Sequence, residues 1–528
     1  MARVKLFTRP SKHKAAAAPK KAGKQPREAA PGARGWPGRG GGMAQLVPSV
    51  TEYRGTTVQV CGLWPFSSGA SSPMIGIPLG RHEETQATVC CDPISWFQRA
   101  RLISNPSAFI LGKPGLGKST VVRRMFIGLS AQGVHPLILG DLKGEHVKAV
   151  KALNGQVIRL GRGVGYLNIL DPGQAIEAAQ ILEDNGHPED AARVRADAHG
   201  RRLTMVVSLI TISRNSPPTD QEQTILDRAL RILDERFDGV PVLKDLLDVI
   251  VSAPDELRQV ALDRGDMNMY LQETRALEAT LLGLTGGGKL GEIFSRQTSE
   301  PIVRDRAVVF DVSSIDETET DLQAAVLLAC WSYGFGTVNV ANALADAGLE
   351  PRRNYFVVLD ELWRALRAGK GMVDRVDALT RLNRSVGVGQ IMISHTMSDL
   401  LALPAEEDRM KARGFVERSG MVICGGLPAS EMPQLTSAIP LSRQEQQKLI
   451  GWQDPPAWDS RGVDVEPPGR GKFLIKVGGR PGIPVQVGLT SLEKGPEGIN
   501  DTNAKWSTIS ETLLEPAAPA LPSEGASE

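Results

Sequence analysis

Nine consecutive residues bring together the side chains and spacing needed to hold phosphate: Gly112, Lys113, Pro114, Gly115, Leu116, Gly117, Lys118, Ser119 and Thr120. They fit the pattern of a glycine, four residues, then Gly-Lys-Ser/Thr, which cradles the phosphates of a nucleotide such as ATP. Glycines at 112, 115 and 117 let backbone N–H groups turn inward around an anion. A helix opening at that point adds the partial positive charge of its N-terminus. Lys118 would reach the β- and γ-phosphates, and Ser119 would ligate Mg²⁺. A glycine-rich turn that matched by chance would lack flanking elements, and both are present. Residues 107–111 (Ser-Ala-Phe-Ile-Leu) read as a short buried strand, and residues 118–130 read as the helix that follows.

Hydrolysis needs more than a phosphate cradle. The apolar run 355–359 predicts a second buried strand, with Asp360-Glu361 at its carboxyl end. Ligands bind at that end of parallel strands. Asp360 would hold Mg²⁺ through a water, and Glu361 would orient or deprotonate the attacking water. The competing reading is an acid pair that merely opens a surface helix. A further strand, 390–393, runs into Ser394-His395-Thr396, which puts His395 where a polar side chain would sense the γ-phosphate. Arg381 and Arg384 stand just before it and are candidates for an arginine acting on a neighbouring subunit's nucleotide, or for plain surface arginines.

These residues need a scaffold, and the pattern along the chain supplies one. Residues 1–42 are low in complexity and carry eleven Lys or Arg against one acid, Glu28. They predict a disordered basic arm that would bind DNA or an acidic surface, or simply aid solubility. Residues 43–106 predict a small β-rich region, with strand candidates at 57–60 and 74–77. Residues 107–172 form the first part of a nucleotide-binding core, with strands at 136–140 and 156–160. Helical periodicity fills 173–285, which predicts an all-helical insertion. Residues 286–495 complete the core. They hold a strand at 307–312, a long amphipathic helix at 321–344, and a hairpin-like pair at 473–477 and 483–487. Residues 496–528 predict a disordered tail. Strands alternating with helices imply an α/β fold: a doubly wound, mostly parallel sheet of the P-loop NTPase (RecA-like) type with a helical subdomain inserted.

Composition excludes other classes. Five cysteines in 528 residues, with Cys90 and Cys91 adjacent and the rest scattered, make neither a disulfide framework nor a metal-ligand spacing. No signal-peptide core and no apolar run of bilayer-spanning length stand out, so a cytoplasmic protein is expected, peripheral at most to the membrane.

Several segments in order resemble the HerA–FtsK superfamily of pumping ATPases. They are the phosphate loop, Asp141-Leu-Lys-Gly-Glu145, Gly165-Tyr-Leu-Asn-Ile-Leu-Asp171-Pro, Ala307-Val-Val-Phe-Asp-Val, Val358-Leu-Asp-Glu-Leu-Trp and Ile393-Ser-His-Thr. Within that superfamily the chain looks most like the conjugation and type IV secretion ATPases of the VirB/TraC kind, in a short form without their large N-terminal domain. The resemblance implies a Mg²⁺-dependent ATPase working as a homohexamer beneath membrane-embedded channel proteins. It carries Lys118, Ser119, Asp360 and Glu361 into the roles given above. The family usually has Gln where His395 stands. Two rival expectations are a DNA translocase of the HerA kind, using the basic arm, and a low-turnover, nucleotide-gated scaffold of a membrane complex.

Overall fold

The computed structural model describes residues 74–286, 288, 290–367, 371–381, 387–455, 467–490 and 493, all within the compact unit Gly69–Glu528. The basic arm, the strand candidate at 57–60 and the tail 496–528 lie outside the described residues. Eleven strands are described: β1 (Pro78–His82), β2 (Thr88–Cys90), β3 (Ser107–Leu111), β4 (Val134–Asp141), β5 (Gln156–Arg159), β6 (Val308–Asp311), β7 (Asn354–Leu359), β8 (Val388–Ile393), β9 (Met421–Cys424), β10 (Lys472–Lys476) and β11 (Ile483–Val487). They form one sheet in the order β2-β1-β11-β10-β9-β3-β8-β7-β4-β6-β5.

From β9 through β5 every neighbouring pair is parallel. From β9 out to β2 every pair is antiparallel. The parallel strands read as apolar runs because both faces are covered. Side chains alternate between two cores with the period of the pleat. Phe109, Leu111, Leu137, Leu139, Val357 and Leu359 face one core, while Ala108, Ile110, Ile138, Phe356 and Val358 face the other. The second core lies under the helix Lys118–Ser130, whose Val121, Val122, Met125 and Phe126 are fully buried.

The chain leaves β3, crosses to β4 beyond the places of β8 and β7, and later returns to fill them. It finally reaches β9 on the other side of β3. The strand order thus reverses at β3, which opens a crevice at the carboxyl ends of β3, β8 and β7.

Between β5 and β6 the regular elements described are all helices, beginning with Ala175–Asp184 and the long Pro188–Arg214. Thr219 caps the next helix, Asp220–Arg236, in a reciprocal pair with Glu222. The helix Thr320–Asp346 packs between that block and the sheet. It is not amphipathic as its sequence predicts, being buried on almost every face. It is also long and apolar enough to span a bilayer, contrary to the expectation of no such run, and 94% of its most apolar stretch is buried inside the protein. Glycines allow this double contact. A Cβ at Gly334 would lie 2.4 Å from Leu139 Cδ2 on β4, and one at Gly336 would lie 1.8 Å from Arg201 Nη1 on the Pro188–Arg214 helix. A second correction concerns residues 74–77, which form a bend and not a strand. Gly76 holds φ +115°, and the Ile77 N–H is drawn to the Asp92 carboxylate at 3.1 Å. Pairing starts at Pro78.

Candidate functional site

The phosphate loop joins β3 to the helix Lys118–Ser130 and is pinned on both sides by backbone. Gly112 N–H donates to the His395 carbonyl (2.9 Å), Lys113 N–H to the Gly426 carbonyl (3.0 Å), and Gly471 N–H to the Leu116 carbonyl (2.9 Å). Gly115 (φ +80°) and Gly117 (φ +97°) take left-handed conformations that a side chain would strain. Pro114 and Gly115 are exposed at the tip, and Ser119 and Thr120 are half-buried. No side chain caps the helix at Gly117, so its first N–H groups and its dipole are directed at the loop. The Thr120 hydroxyl accepts from Arg123 at 3.3 Å.

Lys118, only 8% exposed, curls back. Its Nζ donates to the Gly112 carbonyl (2.7 Å) and contacts His395 Nδ1 at 2.9 Å. An ammonium has no lone pair to offer, so Nδ1 must accept and the imidazole proton sits on Nε2. That Nε2 lies 3.4 Å from Glu361 Oε1. The structure therefore brings together Lys118, His395 and Glu361, residues separated by up to 277 positions. Burial lowers the Lys118 pKa to about 8, against the pull of Glu361 and Asp360.

Asp360 and Glu361 follow β7 directly. Glu361 is 4% exposed and sits at φ +49°. That conformation costs a non-glycine residue about 1–2 kcal/mol and, where it occurs, tends to mark functional sites. Its N–H donates to Asp360 Oδ1 at 2.8 Å, which helps fix the turn. Desolvation, then the charges of Glu361 and Asp141, push the Asp360 carboxyl up to about 7. Glu361 goes the other way. Burial raises it, but the hydrogen bond from His395, the charge of Lys143 and the Trp363 N–H outweigh that and hold it well below the usual carboxylate range. Among the described residues no cluster of three or more His, Cys, Asp or Glu could hold a metal alone. Mg²⁺ does not need one, because it takes one or two protein oxygens and keeps waters and phosphate oxygens. A carboxyl pushed upward beside two other acids, with the Ser119 hydroxyl at the helix start, fits such a cation.

Two residues at the centre of this arrangement were not singled out from the sequence. Lys143, inside the Asp-x-Lys-Gly-Glu run, places its Nζ 3.2 Å from Glu361 Oε1. Trp363 donates its indole N–H to Glu361 Oε2 at 2.6 Å. The signal for both was their place in the two motifs quoted above. The structure also gives Asp141 and Glu145 work that the sequence left open. Asp141, 1% exposed, accepts the N–H groups of His146 (2.7 Å), Glu145 (3.0 Å) and Lys143 (3.4 Å), which folds the loop that presents Lys143. The Glu145 carbonyl accepts from the buried Arg123 at 2.9 Å. Arg381 ends the helix Met372–Arg381, but its side chain and all of Arg384 lie outside the described residues.

Residues 79–330 match the family model described as the central domain of helicase HerA. Among solved structures, VirB4 of Thermoanaerobacter pseudethanolicus matches with a TM-score of 0.57 at 18% identity, covering 81% of this chain and 99% of that one. The plasmid coupling protein TrwB matches with a TM-score of 0.44 at 13% identity, over 73% of this chain and 86% of its own. No curated protein matches the sequence. The likeness to VirB4 is one of fold, that of a P-loop NTPase. Over residues 79–330, just under half of its length, the chain is similar to the HerA central domain.

Proposed function

We propose that the protein is a Mg²⁺-dependent ATPase motor that energises conjugative DNA transfer or type IV secretion, working as a homohexamer against membrane-embedded channel proteins from the cytoplasmic face. One observation carries the ATPase reading: the continuous contact from the phosphate-loop Lys118 through His395 to Glu361. Backbone N–H groups of residues 112–120 would bind the ATP phosphates, with Lys118 on the β- and γ-phosphates. Ser119 and Asp360 would hold Mg²⁺, which neutralises charge that builds on the phosphates. Glu361 would orient the water and accept its proton. His395, whose Nε2 carries the proton, would donate to the γ-phosphate or to the water. Arg381 and Arg384 remain the candidates for an arginine offered to a neighbouring subunit.

The match to the HerA central domain favours a second reading with the same chemistry and a different cargo, a translocase of double-stranded DNA, with the basic arm 1–42 as its DNA contact. ATP turnover of the purified protein, measured with and without single- and double-stranded DNA and alongside the mass of the particle, tests both. Turnover that DNA leaves unchanged favours secretion, and stimulation that falls steeply with salt favours translocation. A protein that binds no ATP at all would end both readings.

A further inference from the structure

Glu361 is engaged on both oxygens. Oε1 meets Lys143 Nζ at 3.2 Å and His395 Nε2 at 3.4 Å, while Oε2 accepts from Trp363 Nε1 at 2.6 Å. A carboxylate offers about four lone-pair directions, so three are spoken for. The donors arrive from three separate elements: the loop after β4, the end of β8, and the helix Leu362–Arg367. His395 also touches Lys118, so it belongs to the phosphate side. Lys143 and Trp363 meet Glu361 from elsewhere.

Trp363 is itself anchored. The guanidinium groups of Arg364 and Arg367 stack on its ring, 4.8 and 4.6 Å from the centroid. Arg364 Nη1 donates to Gln323 on the helix Thr320–Asp346 at 2.6 Å. Arg367 Nη2 donates to the Asp399 carbonyl beyond β8 at 2.7 Å. The indole is therefore coupled to two elements outside the phosphate loop. Donors that occupy both oxygens of a carboxylate fix its orientation and leave few lone pairs with which to hold an attacking water.

We propose that Trp363 and Lys143 are positioning residues that restrain Glu361, so that ATP hydrolysis requires their hydrogen bonds to Glu361 to open. The indole N–H then links the Glu361 carboxylate to the packing of Thr320–Asp346 and of the segment after β8, while the Glu361 carbonyl is held by the Arg364 N–H at 2.9 Å. The proposal rests on Glu361 being the base.

The test is steady-state ATP hydrolysis by the full-length protein and four variants. Trp363→Phe keeps a ring beneath the two guanidinium groups and removes the N–H. Lys143→Met removes the cation and keeps a chain of similar length at a side chain 43% exposed. Both should raise kcat by about tenfold, the worth of one hydrogen bond to a charged group. KM for ATP should stay within roughly twofold. Lys143→Arg, which preserves the cation, should stay close to wild type. A kcat that falls or holds in both Trp363→Phe and Lys143→Met overturns the restraint, and Lys143→Met decides alone if Trp363→Phe does not fold. Glu361→Gln separates the two claims. If it turns over at the wild-type rate, the base assignment fails. If it is inactive while both of the other variants are slowed, only the restraint fails.

Discussion

Replacing Asp141 by Asn changes one atom in a fully enclosed place, and its effect can be worked from the contacts. The Asp141 carboxylate serves three backbone N–H groups, two on Oδ1 and His146 N–H on Oδ2 at 2.7 Å. An amide has one acceptor oxygen. In its better orientation it keeps the Glu145 and Lys143 bonds and turns its NH₂ toward the His146 N–H, donor against donor. His146 is fully buried, so no water can repair the loss. An unmet buried N–H costs about 1–3 kcal/mol. Some of this is offset, because burial pushes the Asp141 carboxyl above its ordinary range, and the neutral amide escapes that penalty. The net expectation is a loss of about 1–2 kcal/mol. Urea denaturation followed by circular dichroism reads it as a lower midpoint at unchanged slope. Turnover should move in the same direction as in Lys143→Met, since the loop that Asp141 folds is the one that presents Lys143. A variant with a wild-type midpoint and wild-type turnover would refute the claim that this carboxylate holds the loop.

Three further outcomes are expected. Gly334→Ala should destabilise the protein: its Cβ would sit 2.4 and 2.7 Å from the two methyls of the enclosed Leu139, and overpacking of about 1–3 kcal/mol exceeds a helix-propensity gain of about 1 kcal/mol. At Gly336→Ala the atoms nearest the new Cβ are those of the Arg201 guanidinium, which can swing, so melting should hold or rise, and the reverse ranking of these two variants would contradict the packing described. His199 bridges Asp234 (3.1 Å) and Asp227 (2.8 Å) in the helical block, and its pKa is raised, chiefly by the bond to Asp234 and against burial. A raised histidine contributes stability that is complete below its unfolded pKa near 6.5 and is lost as pH climbs through the folded value. The stability gap between wild type and His199→Gln should therefore shrink from pH 6 to pH 8.5 in melting experiments, and a gap that widens would be the wrong sign.

The core strands were legible in the sequence for a physical reason. A parallel strand buried on both faces shows as an unbroken apolar run, as at Ser107–Leu111 and Asn354–Leu359, and the residues that follow such runs lie at the carboxyl edge. The register that draws His395 between Lys118 and Glu361 was not legible, because it depends on β8 lying between β3 and β7. Nor were the partners of Glu361: Lys143 reaches it from a loop 218 residues earlier, and no local pattern encodes that approach. β9 was overlooked as a four-residue strand at the end of a polar helix, although the Gly425-Gly426 that follows it flanks the phosphate loop. The Thr320–Asp346 helix misled in the opposite way. Its scattered polar residues read as a wet face, whereas Gln323 and Thr337 bond inside the protein. The candidate trans-acting Arg384 lies outside the described residues.

The most direct test of the central claim compares ATP binding and steady-state hydrolysis for the wild-type protein and Glu361→Gln. The wild type should hydrolyse ATP, and the variant should bind it with similar affinity yet turn over at least about a hundredfold more slowly, the usual contribution of a positioned general base. Equal turnover rates in the two proteins would contradict the assignment of Glu361 as the group that activates water.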